Sequence, residues 1–417
     1  FEDFSVLDTQ MQDLAVIARM DANGNLNLLR NKLVSTATSL QQQVQAATTK
    51  NEAIDVSIIL EELWWICHFI GYVLTQDEED FSDIVKNYKS GSEMPMIPQE
   101  VLKMSFHCFV ALASQTSSKN TSDNPNAFVD PLILITKDLF SVIDFECSRI
   151  SKSFHSSSSI QGNASMLSPL LAQKLLWVAR KWARTYLMPD TSMYLSNDKN
   201  CGISPTVLGE YGIDSHAAHN LTNFLIQKVG MFLAFWGYED GVCQEACKLL
   251  KDLTFRKETR MALLRQNAFI DLVAANSIAI YMGKKPYELA EKDVLFSMNN
   301  SMHGLNAQNK SLSEKQLLLL FGRGLNSLPD LYAEEIVFIV CRACDGFDNA
   351  TRRSNTLRQV VQPIFSRFES LIGEKCQLSN FFKSNYQNVS LEILRLVGLF
   401  CGVARATSTK NHNDIFA

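Results

Sequence analysis

The segment 168–188, SPLLAQKLLWVARKWARTYLM, constrains the fold more than any other part of the chain. Ser168 and Pro169 form a helix start, because the hydroxyl caps free backbone amides and proline loses nothing at the first helical position. At about 100° per residue, one broad face of this helix collects the apolar side chains Leu171, Leu175, Val178, Ala179, Trp182 and Tyr186. A second face carries Lys174, Trp177, Lys181 and Arg184. Two contact faces indicate a helix stacked in a row rather than one in a simple bundle.

Helical periodicity recurs along the chain, and no stretch shows the period-two alternation of a strand. Clear examples are 52–74, 99–113, 130–150, 216–236 and 239–255. We expect about thirteen or fourteen helices, in pairs that recur every ~40 to 70 residues. The predicted fold is all-α: an α-solenoid (superhelix) of degenerate HEAT-type antiparallel helix pairs, continuous over residues 1–417. A compact all-α bundle is the alternative.

Three polar segments are predicted to be flexible loops within this array. Residues 114–125 lack any periodic pattern, 151–165 are rich in serine, and 189–215 carry several glycines and prolines. Loops of this length inside a compact domain are uncommon and are often functional. The chain starts at Phe1 without a signal-peptide pattern. We therefore expect it to be a piece of a longer protein, with parts missing at both ends.

Composition argues against two classes of partner. The 44 acidic and 39 basic residues give a net charge of -5, whereas domains that bind nucleic acid are usually strongly basic. No apolar run reaches the ~18 uncharged residues of a membrane span. The ten cysteines are spread singly, as in reduced proteins of the cytosol or nucleus. We expect neither nucleic acid nor membrane among the partners.

Candidate catalytic and metal motifs are weak. Cys341 and Cys344 form a C-x-x-C without a second ligand pair, so buried structural thiols are expected. Asp214, which precedes His216 and His219, is interpreted as a helix N-terminal cap. No nucleophile elbow, zinc-protease helix or phosphate-binding loop is found. We predict no enzyme, metal or cofactor; an all-α enzyme with a pocket near Cys341 or His216 is the third hypothesis.

Two charged sets are candidate binding surfaces. The acidic set places two carboxylates beside Trp64 and Trp65 and four more just after that helix: Glu61, Glu62, Asp77, Glu78, Glu79 and Asp80. The basic stripe consists of Lys174, Lys181 and Arg184. A solvated helix face is the alternative for both sets. We expect Trp177 to pack against the adjacent repeat rather than to stack on a ligand.

Several segments resemble the karyopherin-β family of nuclear transport receptors. They are LEELWWICHFIGYVL (60–74) followed by PMIPQEV (95–101), KLLWVARKWARTYLM (174–188), NFLIQKVGMFLAFW (223–236), VVQPIFSRFESLI (360–372) and LVGLFCGVARAT (396–407). The spacing W-x-x-x-x-W-A-x-T-Y-L is the most specific of these features. The segments keep the order of the family along nearly the whole chain.

The resemblance implies a HEAT-repeat superhelix that exports protein cargo from nucleus to cytoplasm. Such a receptor binds the small GTPase Ran in its GTP form, contacts nuclear pore proteins and shuttles between the two compartments. The resemblance also implies cargo with a basic surface, including translation initiation factor 5A, for which the acidic set (Glu61, Glu62 and residues 77–80) is the predicted site. The alternative is a HEAT-repeat scaffold subunit of a cytosolic complex, which needs no GTPase.

Overall fold

The computed structural model describes residues 4–50, 54–76, 97–117, 129–155, 167–191, 203–237, 239–266, 268–269, 336–339, 341 and 343. These residues contain no strand, and their main helices follow in chain order. They are α1 (Phe4–Arg19), α2 (Ala22–Lys50), α3 (Ser57–Leu74), α4 (Gln99–Ser117), α5 (Pro131–His155), α6 (Pro169–Tyr186), α7 (Pro205–Tyr211), α8 (His216–Trp236), α9 (Asp240–Phe255) and α10 (Lys257–Leu264). The fold class is an all-α helical solenoid, which confirms the sequence prediction.

The chain divides into two compact units, residues 1–220 and 221–417. In the second unit, α9 and α10 pack on each other. Cys243 and Cys247 of α9 and Cys341 are buried, and burial raises the pKa of the Cys243 thiol to about 12. These three thiols have the buried environment expected of structural cysteines, whereas Cys344 lies outside the described residues. The continuity of one array over residues 1–417 stays a prediction.

In the first unit, α1 and α3 lie side by side and run in the same direction. Asp8, in the first half of α1, lies 3.3 Å from Nε2 of His68. Arg19, the last residue of α1, donates hydrogen bonds to the carbonyl oxygens of Tyr72 and Thr75 at 2.9 and 3.4 Å. The buried guanidinium of Arg19 therefore satisfies carbonyl groups at the C-terminal end of α3, which have no partner within their own helix.

The next helix of the row, α6, is parallel to α3 as well. Near its start, Nζ of Lys174 lies 2.5 Å from Nδ1 of His68. At its end, the hydroxyl of Tyr186 donates to the Leu74 carbonyl oxygen at 2.6 Å. Parallel neighbours arise when the first helices of successive antiparallel pairs stack in one layer. The order α1, α3, α6 is thus a row of the kind that the two contact faces of segment 168–188 predict.

Helix α2 returns behind this row and packs on both α3 and α5. Its Lys32 ammonium forms an ion pair with Glu62 of α3 at 2.5 Å. Arg30 donates from Nε to Oδ2 of Asp138 on α5 at 2.6 Å. The apolar side of α2, which includes Leu33 and Leu40, is buried in the same interface. These contacts give the first unit a second layer behind the parallel row.

Gly71 sets how closely α3 and α6 approach. A Cβ atom at Gly71 would overlap the indole ring of Trp177, so only glycine fits at this position without displacement of the ring. The separation of packed helices depends on the side chains at their contact, and a missing side chain permits close approach. Trp177 therefore packs against the neighbouring helix α3, which agrees with its expected role.

Helix boundaries follow local capping signals, with one correction. Ser168 Oγ accepts from the Leu171 amide at 3.3 Å and Pro169 follows it, as the sequence indicates. At α8, however, Ser215 Oγ accepts from the Ala218 amide at 3.4 Å, so the prediction of Asp214 as the cap is wrong by one residue. Serine and aspartate cap equally well, and only the backbone path decides which side chain lies at the cap position.

The three predicted loops contain more helix than expected. Helix α4 continues to Ser117, α5 continues to His155, and α7 lies inside the segment 189–215. A serine can lie within a helix when its hydroxyl donates to a carbonyl oxygen one turn earlier. Ser114 Oγ donates in this way to the Val110 oxygen at 2.9 Å. Within 189–215, Ser204 and Pro205 repeat the cap signal of segment 168–188. Residues 118–125, 156–165 and 192–202 of these segments lie outside the described residues.

Among the described helices, α3 is the one long and apolar enough to cross a membrane by length and composition. This window contains Glu61 and Glu62, so the expectation that no run reaches ~18 uncharged residues still holds. A core helix passes the same test, and 56% of the α3 window is buried. Its packing against α1, α2 and α6 is that of a core helix.

Replacing Gly71 with alanine is expected to lower the unfolding midpoint. Alanine in a helix is favoured over glycine by about 1 kcal/mol, but a side chain forced into a filled contact costs about 1–3 kcal/mol. The overlap with Trp177 should therefore outweigh the gain. Thermal unfolding followed by circular dichroism measures the effect. Gly209→Ala is the matched control, because a Cβ at Gly209 meets nothing within 4 Å. A higher midpoint for Gly71→Ala would contradict the proposed close approach.

Candidate functional site

The contact between α3 and α6 encloses a group of rings and charges that we name the aromatic–lysine cluster. Its members are Asp8, Trp64, His68, Tyr72, Lys174, Trp177 and Lys181. Two indole rings stack on the imidazole of His68: Trp64 at a centroid distance of 4.9 Å and Trp177 at 5.2 Å. Tyr72 meets His68 edge to face at 5.1 Å. Ring pairs in these geometries stabilise a contact beyond the area they bury.

Two lysine ammonium groups lie over the rings of the cluster. Nζ of Lys174 is 4.6 Å from the Trp64 ring and 4.2 Å from the Trp177 ring. Nζ of Lys181 is 4.2 Å from the Tyr72 ring and 4.4 Å from the Trp177 ring. A cation over the face of an aromatic ring gains about 0.5–2 kcal/mol, more where water is excluded. Each lysine thus interacts with two rings and holds α6 against α3.

The protonation state of His68 follows from its surroundings. Burial, and then the positive charge of Lys174, lower the pKa of His68 to about 4, so the ring is neutral at pH 7. The Lys174 ammonium can only donate, so Nδ1 of the imidazole accepts and the ring proton resides on Nε2. Nε2 faces the Asp8 carboxylate at 3.3 Å without a well-aligned hydrogen bond. The cluster therefore holds one histidine as a neutral hydrogen-bond acceptor between helices.

The predicted basic stripe does not form a solvent-facing surface. Lys181 is buried and Lys174 is half-buried, and both ammonium groups are directed onto rings of the cluster. Arg184 is half-buried as well. The helical wheel placed these residues correctly on one side of α6. It could not show that the side faces α3, because aromatic rings provide an environment for cations that hydropathy does not record.

The acidic set divides in the structure. Glu62 forms the ion pair with Lys32 and accepts from Thr36 Oγ1 at 3.3 Å, and the Lys32 contact, followed by the Thr36 hydrogen bond, lowers its pKa. Glu61 is exposed and forms no ion pair with the described residues. Residues 77–80 lie outside the described part of the chain. Of the predicted cargo-binding residues that are described, only Glu61 combines exposure with a carboxylate not committed to a contact inside the protein.

A buried polar group at the junction of α4, α5 and α7 was not foreseen. The Asp130 carboxylate accepts from Ser105 Oγ and from the Leu132 amide, which it caps at 2.9 Å. Ser105 Oγ also lies 2.7 Å from Ser204 Oγ, the cap of α7. Burial raises the pKa of Asp130. The signal in the sequence was Asp130 before Pro131, a start pattern for α5; its link to two other helices depends on the fold.

Within the described ranges, no group of three or more histidine, cysteine, aspartate or glutamate side chains is arranged to hold a metal ion. His216 and His219, which follow Asp214 in the sequence, lie in the first turn of α8. Nδ1 of His216 lies 3.0 Å from the side-chain nitrogen of Asn220. The aromatic–lysine cluster is therefore the main group of interacting polar side chains and rings described in the first unit.

The low pKa of His68 predicts a stability loss in mild acid. The folded state keeps His68 neutral down to about pH 4, whereas the unfolded chain protonates near its ordinary pKa of 6.5. Above pH 6.5 the ring is neutral in both states, and the free energy of unfolding does not depend on it. As the pH falls towards 4, the unfolded chain is protonated first, and the free energy of unfolding decreases by up to about 3 kcal/mol. Asp8, Lys174 and Lys181 are the charged groups that face the ring.

We expect His68→Gln, which keeps an acceptor and a donor, to remove this part of the pH dependence. Thermal unfolding midpoints between pH 7 and pH 4 should fall less steeply for the variant than for the unmodified chain. His216→Gln is the control, because His216 is exposed on α8. If the unfolding midpoint falls equally steeply with pH for the unmodified chain and for His68→Gln, protonation of this ring is not linked to folding.

Comparison with known proteins places the chain in a family. The family model for exportin-4 matches residues 2–314, about three quarters of the chain. Exportin-4 of Dictyostelium discoideum is 24% identical to the chain over 265 residues. That alignment covers 63% of this chain and 19% of the relative, so the chain spans about a fifth of the length of the protein it matches. The matched region contains helices α1 to α10 and every member of the aromatic–lysine cluster. The chain belongs to the exportin-4 family.

Proposed function

We propose that this chain is part of a nuclear export receptor. The receptor carries protein cargo from the nucleus to the cytoplasm together with Ran in its GTP state, and it shuttles through the nuclear pore by contact with pore proteins. The observation that carries the proposal is the match to the exportin-4 family model over residues 2–314. The role is one of transport rather than catalysis, and the segment acts by binding and by changes of shape.

The packing of the first unit supports such a role. Each helix of the row α1, α3, α6 contacts its neighbours, so an array of this kind distributes a change in curvature over many small interfaces. A ligand at one position can then change the affinity at another by a coupling of about 1–3 kcal/mol. Ran in its GTP form would stabilise the curvature that binds cargo, and hydrolysis of GTP would release both. Continuity of the array over residues 1–417 is part of this proposal.

The cargo we propose has a basic surface, and translation initiation factor 5A is the candidate implied by the family. Glu61 and the carboxylates at 77–80 are the residues assigned to attract it. Glu62 is the weaker candidate, because its carboxylate is neutralised by Lys32. The acidic residues would act mainly on the rate of encounter and on salt dependence, since exposed charges are screened beyond about 8 Å at physiological ionic strength.

Binding to Ran tests the proposal directly. Immobilised Ran, locked in the GTP or the GDP state, is incubated with the longest natural protein that contains this chain, with and without translation initiation factor 5A. We expect retention on the GTP form only, and an increase of roughly 5- to 150-fold in affinity when the factor is present.

Two outcomes would contradict the export function. Equal retention on both nucleotide states, or none on either, favours the scaffold hypothesis, in which the helical array assembles a cytosolic complex without a GTPase. If the factor does not increase retention on the GTP form, Ran binding stands and translation initiation factor 5A is rejected as the cargo. The 417-residue chain alone, measured in parallel, shows which part of the binding its own residues supply.

A further inference from the structure

We propose that the exposed side of α3 around Glu61 and Trp65 is a docking surface for a basic segment of a partner protein. The α3 docking surface consists of Ile58, Glu61 and Trp65, with Leu170 at the start of α6 beside it. The inference deepens the proposed function, since it rests on a receptor that binds protein cargo and adds residues that the charge pattern alone did not single out.

The three α3 residues share one side of the helix. Positions 58, 61 and 65 follow the three- and four-residue steps that bring helical side chains into one line. The side chain of Ile58 is 79% exposed and that of Trp65 is 37% exposed, whereas most residues of the C-terminal half of α3 are buried. Ile58 and Trp65 thus place two apolar side chains beside Glu61 on the solvent-facing side of α3.

Trp65 is held in a fixed orientation by the aromatic–lysine cluster. Its ring meets Trp64 edge to face at 4.8 Å with an interplanar angle of 86°, and it meets His68 at 6.2 Å and 87°. A side chain that is already immobilised loses little conformational entropy when a partner binds. Tryptophan is also among the residues that most often dominate the energy of an interface.

Charge identifies the kind of partner. Glu61 in α3 and Asp55, two residues before the helix, are exposed carboxylates, and Asp55 Oδ1 accepts from the Ser57 amide at 2.9 Å. The nearby ammonium groups are already engaged: Lys32 pairs with Glu62, and Lys174 lies between His68 and two rings. Among the described residues, the exposed charge of this surface is therefore negative. A partner lysine or arginine would place its cation at the Glu61 carboxylate and its aliphatic stem along Trp65, one helical turn away.

The apolar part of the surface extends to α6. Leu170 in the first turn of α6 is 65% exposed, and it lies one turn before Lys174 on the same side of that helix. Because α3 and α6 are parallel and Lys174 contacts Trp64, Leu170 lies at the same end of the pair as Ile58 and Glu61. The partner is thus a segment with apolar and cationic side chains, such as a basic amphipathic helix. A second copy of this chain is disfavoured, since Glu61 and Asp55 would face their own equivalents.

The probe for the test is a labelled amphipathic helix of lysine and leucine, about four turns long. A peptide with glutamate in place of lysine and one with serine in place of leucine are the controls. Fluorescence anisotropy measures their binding to the 417-residue chain at low and at physiological salt. We expect the lysine–leucine peptide to bind, the two control peptides to bind at least about tenfold more weakly, and added salt to weaken the complex.

Variants of the chain locate the binding site. Trp65→Ala and Glu61→Lys should each weaken binding of the lysine–leucine peptide by about tenfold, and Trp65→Phe should retain most of it. Glu61→Lys should also flatten the salt dependence. The matched controls are on α1, where Ile17 is 63% exposed and Asp13 is exposed. Ile17→Ser and Asp13→Lys repeat the same kinds of change on a neighbouring apolar face, and they should leave the affinity unchanged. Circular dichroism confirms that each variant is folded.

Each result decides for or against the α3 docking surface. Loss of binding in the α1 variants with no loss in the α3 variants would overturn it, as would equal binding of the glutamate–leucine peptide. The outcome is separable from that of the proposed function, because the peptide assay contains no Ran. Ran binding with no effect of Trp65 and Glu61 on the peptide would reject the surface and keep the receptor. Peptide binding at Trp65 without Ran binding would keep the surface and reject the receptor.

Discussion

The close contact between Gly71 of α3 and Trp177 of α6 is the constraint on which the described first unit depends. The missing side chain at Gly71 lets the indole ring lie against the backbone of α3. That position brings the ring between two lysine ammonium groups and next to His68. Cations and a neutral imidazole can be buried there because the rings replace part of the water they lose. The parallel order of α1, α3 and α6 follows from the contacts of α3 with Asp8 and Arg19 on one side and with Lys174 and Tyr186 on the other.

The aromatic–lysine cluster also decides which charged side chains lie inside the protein and which remain at its surface. Lysines that would otherwise neutralise the acidic side of α3 are held by rings, by His68 or by Glu62. Glu61 is left exposed beside a tryptophan that the cluster keeps in one orientation. A transport receptor needs both properties: contacts that keep neighbouring helices together, and a surface whose charge selects a partner. The α3 residues of the cluster and of the proposed docking surface lie between Ile58 and Tyr72.

The family match and the observed helix stacking concern the same part of the chain. The family match covers the region in which α1 to α10 are described, and the alignment with the Dictyostelium relative covers about a fifth of that protein. The interface between α3 and α6 thus lies in the part of the chain that the family model matches. A coupling between two ligands in a helical array depends on interfaces like that of α3 and α6, because a change of curvature is distributed over many of them.

The sequence by itself determined the helices. The 3.6-residue pattern placed α8 at His216–Trp236, and Ser168 with Pro169 marked the start of α6. It also found a second contact face on α6, with Trp177 among cations. It did not determine what that face touches. Lys181 of the candidate partner-facing stripe is buried. Periodicity records which residues share a side but not which neighbour covers it. Only the tertiary structure, through the space left by Gly71, placed rings from α3 around those ammonium groups and left Glu61 and Trp65 outside.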